Sequence, residues 1–241
     1  MRLSTPFLPA ALFALFALPA AAQQSTFTPP EGCTGFLTVQ MKGCMVSNHF
    51  TCANDPEGHK RHVTYTENGP SGASLVDEEY QWLETYGAAR QEVLGLPIED
   101  PASLTDLFTT GEDGYDFTVI DMATGDPVST RIVGVDRLSG KDGEIDGEPL
   151  LGTIFSMRKL TEEGEEELSV TGAQFVSEEY RLFFPGTETI EIGERTIEVD
   201  NTPVRFVKPD EPGFFTTRPI YGCAVSDASW RPETGDAAWR P

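Results

Sequence analysis

Histidines, cysteines and paired acids are where chemistry usually starts, and the histidines here form no familiar frame. The three are His49, His59 and His62. His59 and His62 stand three apart, but in a turn-and-strand stretch, where that spacing does not stack two imidazoles as it would on a helix. Zinc held by this pair and a nearby acid is the chemical reading; surface histidines in a charged loop are the ordinary one. His-Glu-x-x-His, Gly-x-Ser-x-Gly and glycine-rich phosphate loops are all missing. Asp142-Gly143-Glu144-Ile145-Asp146-Gly147 opens like a calcium loop. Its twelfth position is Thr153 where a bidentate Glu is needed, so the stretch reads as an acidic turn. The sequence therefore predicts no catalytic residue, no metal and no cofactor.

The four cysteines are Cys33, Cys44, Cys52 and Cys223. An even number in an exported chain points to two disulfides, which leave no thiol free as a nucleophile. Aromatic residues are the other resource. Phe183-Phe184 and Phe214-Phe215 place one ring on each face of an extended chain, and Tyr80, Trp82 and Tyr86 form a stripe if their segment is a strand. Rings left off a core face can line a concave sheet, which makes Tyr80, Trp82, Phe184 and Phe215 the candidate ligand-binding residues.

These groups need a frame, and the stretch Cys33–Cys52 supplies one. With a two-residue turn at Lys42-Gly43, Met41 faces Cys44, Val39 faces Val46, Leu37 faces Asn48, Gly35 faces Phe50 and Cys33 faces Cys52. That register sorts apolar from polar residues, with Asn48 the one strongly polar residue on the apolar face. Its amide should bond to backbone, while His49, on the other face opposite Phe36, should be half exposed. Three disulfide connectivities are formally open. The register favours Cys33–Cys52, which leaves Cys44 for Cys223.

Gly72–Tyr86 fits either periodicity, and the Asn68-Gly69 turn before it favours a strand. Asp100-Pro101 reads as an N-cap and first turn of a helix of about ten residues ending at Gly111. Beyond it the pattern is β, with strands expected near 115–121, 128–138, 150–159, 167–177, 180–184, 188–192, 195–199, 203–208 and 214–221. Close sequential strands pair as antiparallel neighbours. The expected fold is therefore mainly β: an antiparallel meander forming a strongly curved sheet or barrel, with one short helix packed on it or filling its mouth.

Arg2, an apolar run over Phe7–Leu18 and Pro19-Ala20-Ala21-Ala22 make residues 1–22 a signal peptide. Residues 23–224 then read as a single β domain, and 225–241 as a flexible tail in which Trp230-Arg231-Pro232 recurs as Trp239-Arg240-Pro241. No later run reaches the roughly 18–20 apolar residues of a membrane span. The chain should work in the periplasm or outside the cell. A formal charge of −22 repels nucleic acid and anionic headgroups.

Gly43-Cys44-Met45-Val46-Ser47-Asn48-His49-Phe50-Thr51-Cys52, Asp55-Pro56-Glu57-Gly58, Arg181-Leu182-Phe183-Phe184-Pro185-Gly186 and Arg218-Pro219-Ile220-Tyr221-Gly222-Cys223 together resemble exported bacterial proteins of unassigned function. The resemblance implies no activity and assigns no site residue. At the level of fold alone, a meander with one short helix resembles the periplasmic lipoprotein carriers, whose half-barrels bind acyl chains. Three functional readings follow, of which an enzyme of unrecognised type has the least support. One is a non-catalytic carrier for an apolar ligand such as an acyl chain. Another is a protein-interaction module using the acidic surface and the Trp230 and Trp239 tail.

Overall fold

The computed structural model describes residues 25–88, 90–123 and 125–223. The expected leader and the Trp230 and Trp239 tail lie outside them. Strands β1 (Cys33–Met41), β2 (Met45–Cys52), β3 (Lys60–Thr66), β4 (Gly69–Val76), β5 (Trp82–Gly87) and β6 (Arg90–Leu94) run as a meander. Helix α1 (Leu104–Thr110) follows. Then come β7 (Glu112–Asp121), β8 (Val128–Leu138), β9 (Gly143–Ile145), β10 (Glu148–Leu160), β11 (Glu166–Ser177), β12 (Leu182–Ile192), β13 (Arg195–Asp200) and β14 (Pro203–Val207). The antiparallel order is β13-β12-β11-β10-β8-β7-β6-β5-β4-β3-β2-β1-β14, with β9 paired to β10 alone. β14 leaves sequence order at the end of the chain's strands, returning to pair with β1.

The sheet is mainly β, strongly curved and not closed by a ladder. Its far ends nevertheless meet: Leu182 and Phe184 of β12 share a buried cluster with Leu37 and Val39 of β1 and Phe206 of β14. Phe184 and Phe206 meet edge to face at 5.1 Å. The Asp146-Gly147 turn plugs the same seam. Both residues have positive φ, as a two-residue hairpin turn demands, and Asp146 Oδ2 accepts from the Phe206 amide at 2.9 Å. The acidic stretch is thus the turn expected of it, and it satisfies an edge strand.

The anchoring hairpin departs from its expected register. Its tip has three residues, Lys42-Gly43-Cys44, with Cys44 left-handed at φ 55°, so Met41 pairs with Met45 and Thr38 with Asn48. A bulge between Gly35 and Leu37 then restores Gly35 opposite Phe50 and Cys33 opposite Cys52. Both predicted disulfides form, Cys33–Cys52 and Cys44–Cys223. The one-residue shift exchanges the faces. Leu37, Val39, Met41 and His49 point into the curl, and Thr38, Gln40, Asn48 and Phe50 point outward. His49 is consequently buried rather than half exposed.

The outward face is covered by residues 214–223, which form an irregular strap where a strand was expected. Side chains hold it. Thr38 Oγ1 donates to Asn48 Oδ1 and accepts from the Phe215 amide, and Asn48 Nδ2 donates to the Thr216 carbonyl at 2.9 Å. Gln40 donates to the Arg218 carbonyl and accepts from the Ile220 amide. Gly35 makes room for the Phe215 ring, which a Cβ there would meet at 2.1 Å. Among the described residues its backbone pairs with another segment only in a single antiparallel bridge, Thr26 to Thr216, and many of its other bonds go to side chains, so no strand forms.

Three smaller boundaries moved. Gly72–Tyr86 is extended, as expected, but a turn at Asp77–Gln81 divides it into β4 and β5. Helix α1 starts at Leu104 because Ser103, not Asp100, caps it, accepting from the Asp106 amide at 3.0 Å; Asp100 instead bridges to Asp116. Gly111 ends the helix with φ 87°, as predicted. Pro185-Gly186 does not interrupt β12. The proline, which has no N–H, sits opposite the bulge between Ala173 and Phe175, where no ladder bond is lost.

Candidate functional site

The curl is filled on its β1–β2–β14 side and hollow on the other. The hollow is a cavity of about 440 Å³, walled by residues of β3 to β8, β10, β11 and β12 and by Leu104 of α1. Cross-strand register orders its lining into rows. In the row nearest α1, Asp113 stands beside Asp136, and Asp136 beside Phe155. The next row is Tyr115, Gly134, Met157 and Val170. The third is Phe117, Ile132 and Lys159. Alternation along β7 puts Asp113, Tyr115, Phe117 and Val119 inside together. Gly134 matters here. A Cβ at that position would meet the Tyr115 ring at 2.4 Å, so only glycine lets the ring lie across β8.

The middle of the cavity is apolar and aromatic. Trp82 meets Phe117 edge to face at 5.7 Å, and Tyr80 meets Phe183 in the same way at 5.0 Å. The two ends are polar. Away from α1, Lys159 is paired with Glu92 at 3.2 Å, and both are nearly buried. Arg90 also reaches Glu92, at 3.3 Å. That end lies four residues along β10 from Phe155, about 13 Å at the usual strand rise.

At the α1 end the inward acids are Asp113 and Asp136, and the Arg181 guanidinium there is bound to Glu79 instead. Asp113 Oδ2 accepts from the Ser103 amide at 2.9 Å, and Asp136 Oδ1 accepts from Gln174 Nε2 at 2.7 Å. Both residues are more than nine-tenths buried, at 8% and 5% exposure. Burial above all, with the neighbouring Asp113 charge adding to it, pushes Asp136 up to about 7 despite the Gln174 bond. Burial likewise raises Asp113 to about 6, against the Ser103 bond and with help from Asp100, Asp106 and Glu79. The Tyr80 and Tyr115 hydroxyls are driven upward by burial and by the charge of Asp136. His62 also faces the cavity and bonds to Ser74 at 3.2 Å; burial lowers it to about 4.

Of the residues singled out from sequence, Tyr80 and Trp82 line this cavity. Phe184 and Phe215 do not. Phe184 is packed at the seam between His49 and Phe206, and its neighbour Phe183 takes the cavity side. Phe215 lies on the outer side of the curl beneath the strap, stacked on Phe27. Tyr86 stands opposite Ala73, away from the cavity, and donates to Glu84. Asp113, Tyr115, Asp136 and the Glu92–Lys159 pair went unnoticed. A carboxylate breaking an inward apolar alternation, as in Asp113-Tyr115-Phe117-Val119, is the signal that could have found them. Among the described residues Cys44, Cys223 and Glu67 cluster closely enough for a metal, but both sulfurs are tied up in their disulfide. No helix among the described residues is long and apolar enough to cross a membrane. Compared with family models, curated proteins and solved structures, the chain matches none.

Proposed function

We propose that this is an exported, non-catalytic carrier that holds one small molecule with an apolar body, such as an acyl chain, inside its curled sheet. The observation that carries the reading is the cavity. About 440 Å³ falls within the range of small-molecule sites, roughly 300–1,000 Å³, and aromatic walls with a few placed polar groups are their usual composition. Burial at about 25 cal/mol per Å² of apolar surface supplies affinity without any reacting group. Two disulfides fit an oxidising compartment outside the cytoplasm, as the leader-like residues 1–22 do. Export to the periplasm or beyond is part of the proposal. Titration with Nile red, an uncharged dye that brightens in apolar surroundings, tests it. Saturable one-to-one binding is expected, weakened about tenfold by Trp82→Ala, the worth of one buried aromatic contact. Unsaturable binding, or affinity unchanged in that variant, contradicts the reading.

A further inference from the structure

Resting on the carrier reading and deepening it, we propose that the ligand carries an ammonium group, held by Asp113 and Asp136 at the α1 end of the cavity. Three acceptors lie open there. Asp113 Oδ1 and Asp136 Oδ2 have no hydrogen bond among the described residues, since Ser103 and Gln174 each occupy the other oxygen. The third is the hydroxyl of Tyr115, a residue nine-tenths buried that lines the cavity, equally without a hydrogen-bond partner among the described residues. None of the three is sealed off from the cavity, so each can accept from a ligand there. An ammonium has three N–H donors to match them, and Tyr80 and Tyr115 line the same cavity.

Charge points the same way. The groups facing the pair from other elements are Glu79 and Tyr80 of the β4–β5 turn, Asp100 of the preceding loop, Asp106 of α1 and the neutral Gln174 of β11. None is a cation. The bases on this side are engaged elsewhere: Arg181 by Glu79 at 2.6 Å, and Lys60, which donates to the Gly58 carbonyl. Lys159 sits at the opposite end with Glu92. A fatty-acid carboxylate would meet repulsion at this end, and an ammonium would find its counterion. Because burial raises Asp136 to about 7, an arriving cation must also expel the proton that part of the population carries.

Calorimetric titration with dodecylamine, dodecanol and dodecanoate, all below their micelle concentrations, decides the matter. At pH 8 the amine should bind about tenfold tighter than the alcohol, and dodecanoate most weakly. Amine binding should weaken towards pH 5 as the carboxyls protonate, while alcohol binding stays constant. At pH 7, heats measured in buffers of different ionisation enthalpy should show roughly half a proton released per amine bound and none for the alcohol. Asp136→Asn should reduce the amine preference to within about threefold and abolish proton release, with alcohol binding retained as proof of folding. Asp113→Asn serves if the first variant does not fold. Dodecanoate binding as tightly as the amine, or an amine preference that survives both substitutions, overturns the inference and leaves the carrier reading standing. If none of the three ligands binds saturably, the carrier reading falls and the inference with it.

Discussion

Asp136 and the two inward histidines pull stability in opposite directions with pH. The folded pKa of Asp136 is raised above its unfolded value of about 3.9, so the folded state binds more protons between about pH 4 and 7. Its stabilising contribution is full below pH 4 and is lost as pH rises through 7. His62 is depressed to about 4, and burial holds His49 well below its ordinary value, with neither ring nitrogen of His49 hydrogen-bonded among the described residues. Their contributions are present above pH 6.5 and disappear as pH falls towards 4. The two trends offset each other across the same window. Asp136→Asn should therefore stabilise the protein at pH 8 by on the order of 2–4 kcal/mol, and should leave a steeper loss between pH 6.5 and 4. Urea midpoints at pH 8, 6 and 4.5 measure both effects. A variant less stable than the wild type at pH 8 would mean that the Asp136 charge is compensated inside the cavity.

At the scale of elements, the strap over β1 and β2 depends on its anchor. Cys44–Cys223 closes a loop spanning 179 residues, and chain entropy assigns such a link about 5 kcal/mol. The Cys44→Ser, Cys223→Ser double variant should lose most of that, read from guanidinium unfolding. A loss under about 1 kcal/mol would show that the Thr38, Gln40 and Asn48 bonds hold residues 214–221 unaided. This region also marks the limit of what local pattern reveals. The Cys33–Cys52 pairing was legible because alternation and the cysteines agreed at the open end of the hairpin. Its tip was not, because a third loop residue and a compensating bulge shift the register and then restore it. Faces were hard to assign for a related reason. Both sides of β1–β2 are buried, one by the curl and one by the strap, so polarity no longer separates inside from outside. Asn48 was rightly singled out as a buried amide bonded to backbone, but its partner lies 168 residues away, where strand periodicity gives no guidance. The 128–138 strand, by contrast, was read to its bounds, since Thr124-Gly125-Asp126 and Ser139-Gly140 punctuate it on both sides.

For the whole molecule, sequential hairpins made an antiparallel meander the natural expectation, and its curvature followed from strand twist. What sequence did not reveal was how the curl is filled. Volume is a property of many strands at once: Phe184 and Phe183 are adjacent, yet one closes the seam and the other faces the cavity. The interior carries more acid than base, in keeping with the −22 of the whole chain, so ligand choice and surface charge share one sign. The central claim is that this hollow, and no outer surface, is where a ligand resides. It is tested most directly by filling it. Val170 is buried at the cavity wall beside Met157, and Val170→Phe adds a ring to the hollow while leaving the outer faces of the sheet unchanged. Titrated with Nile red under identical conditions, the wild type should bind one equivalent saturably, and a folded Val170→Phe protein should bind at least tenfold more weakly. Equal affinity in the two would contradict the account, because the dye would then be bound somewhere other than inside the curl.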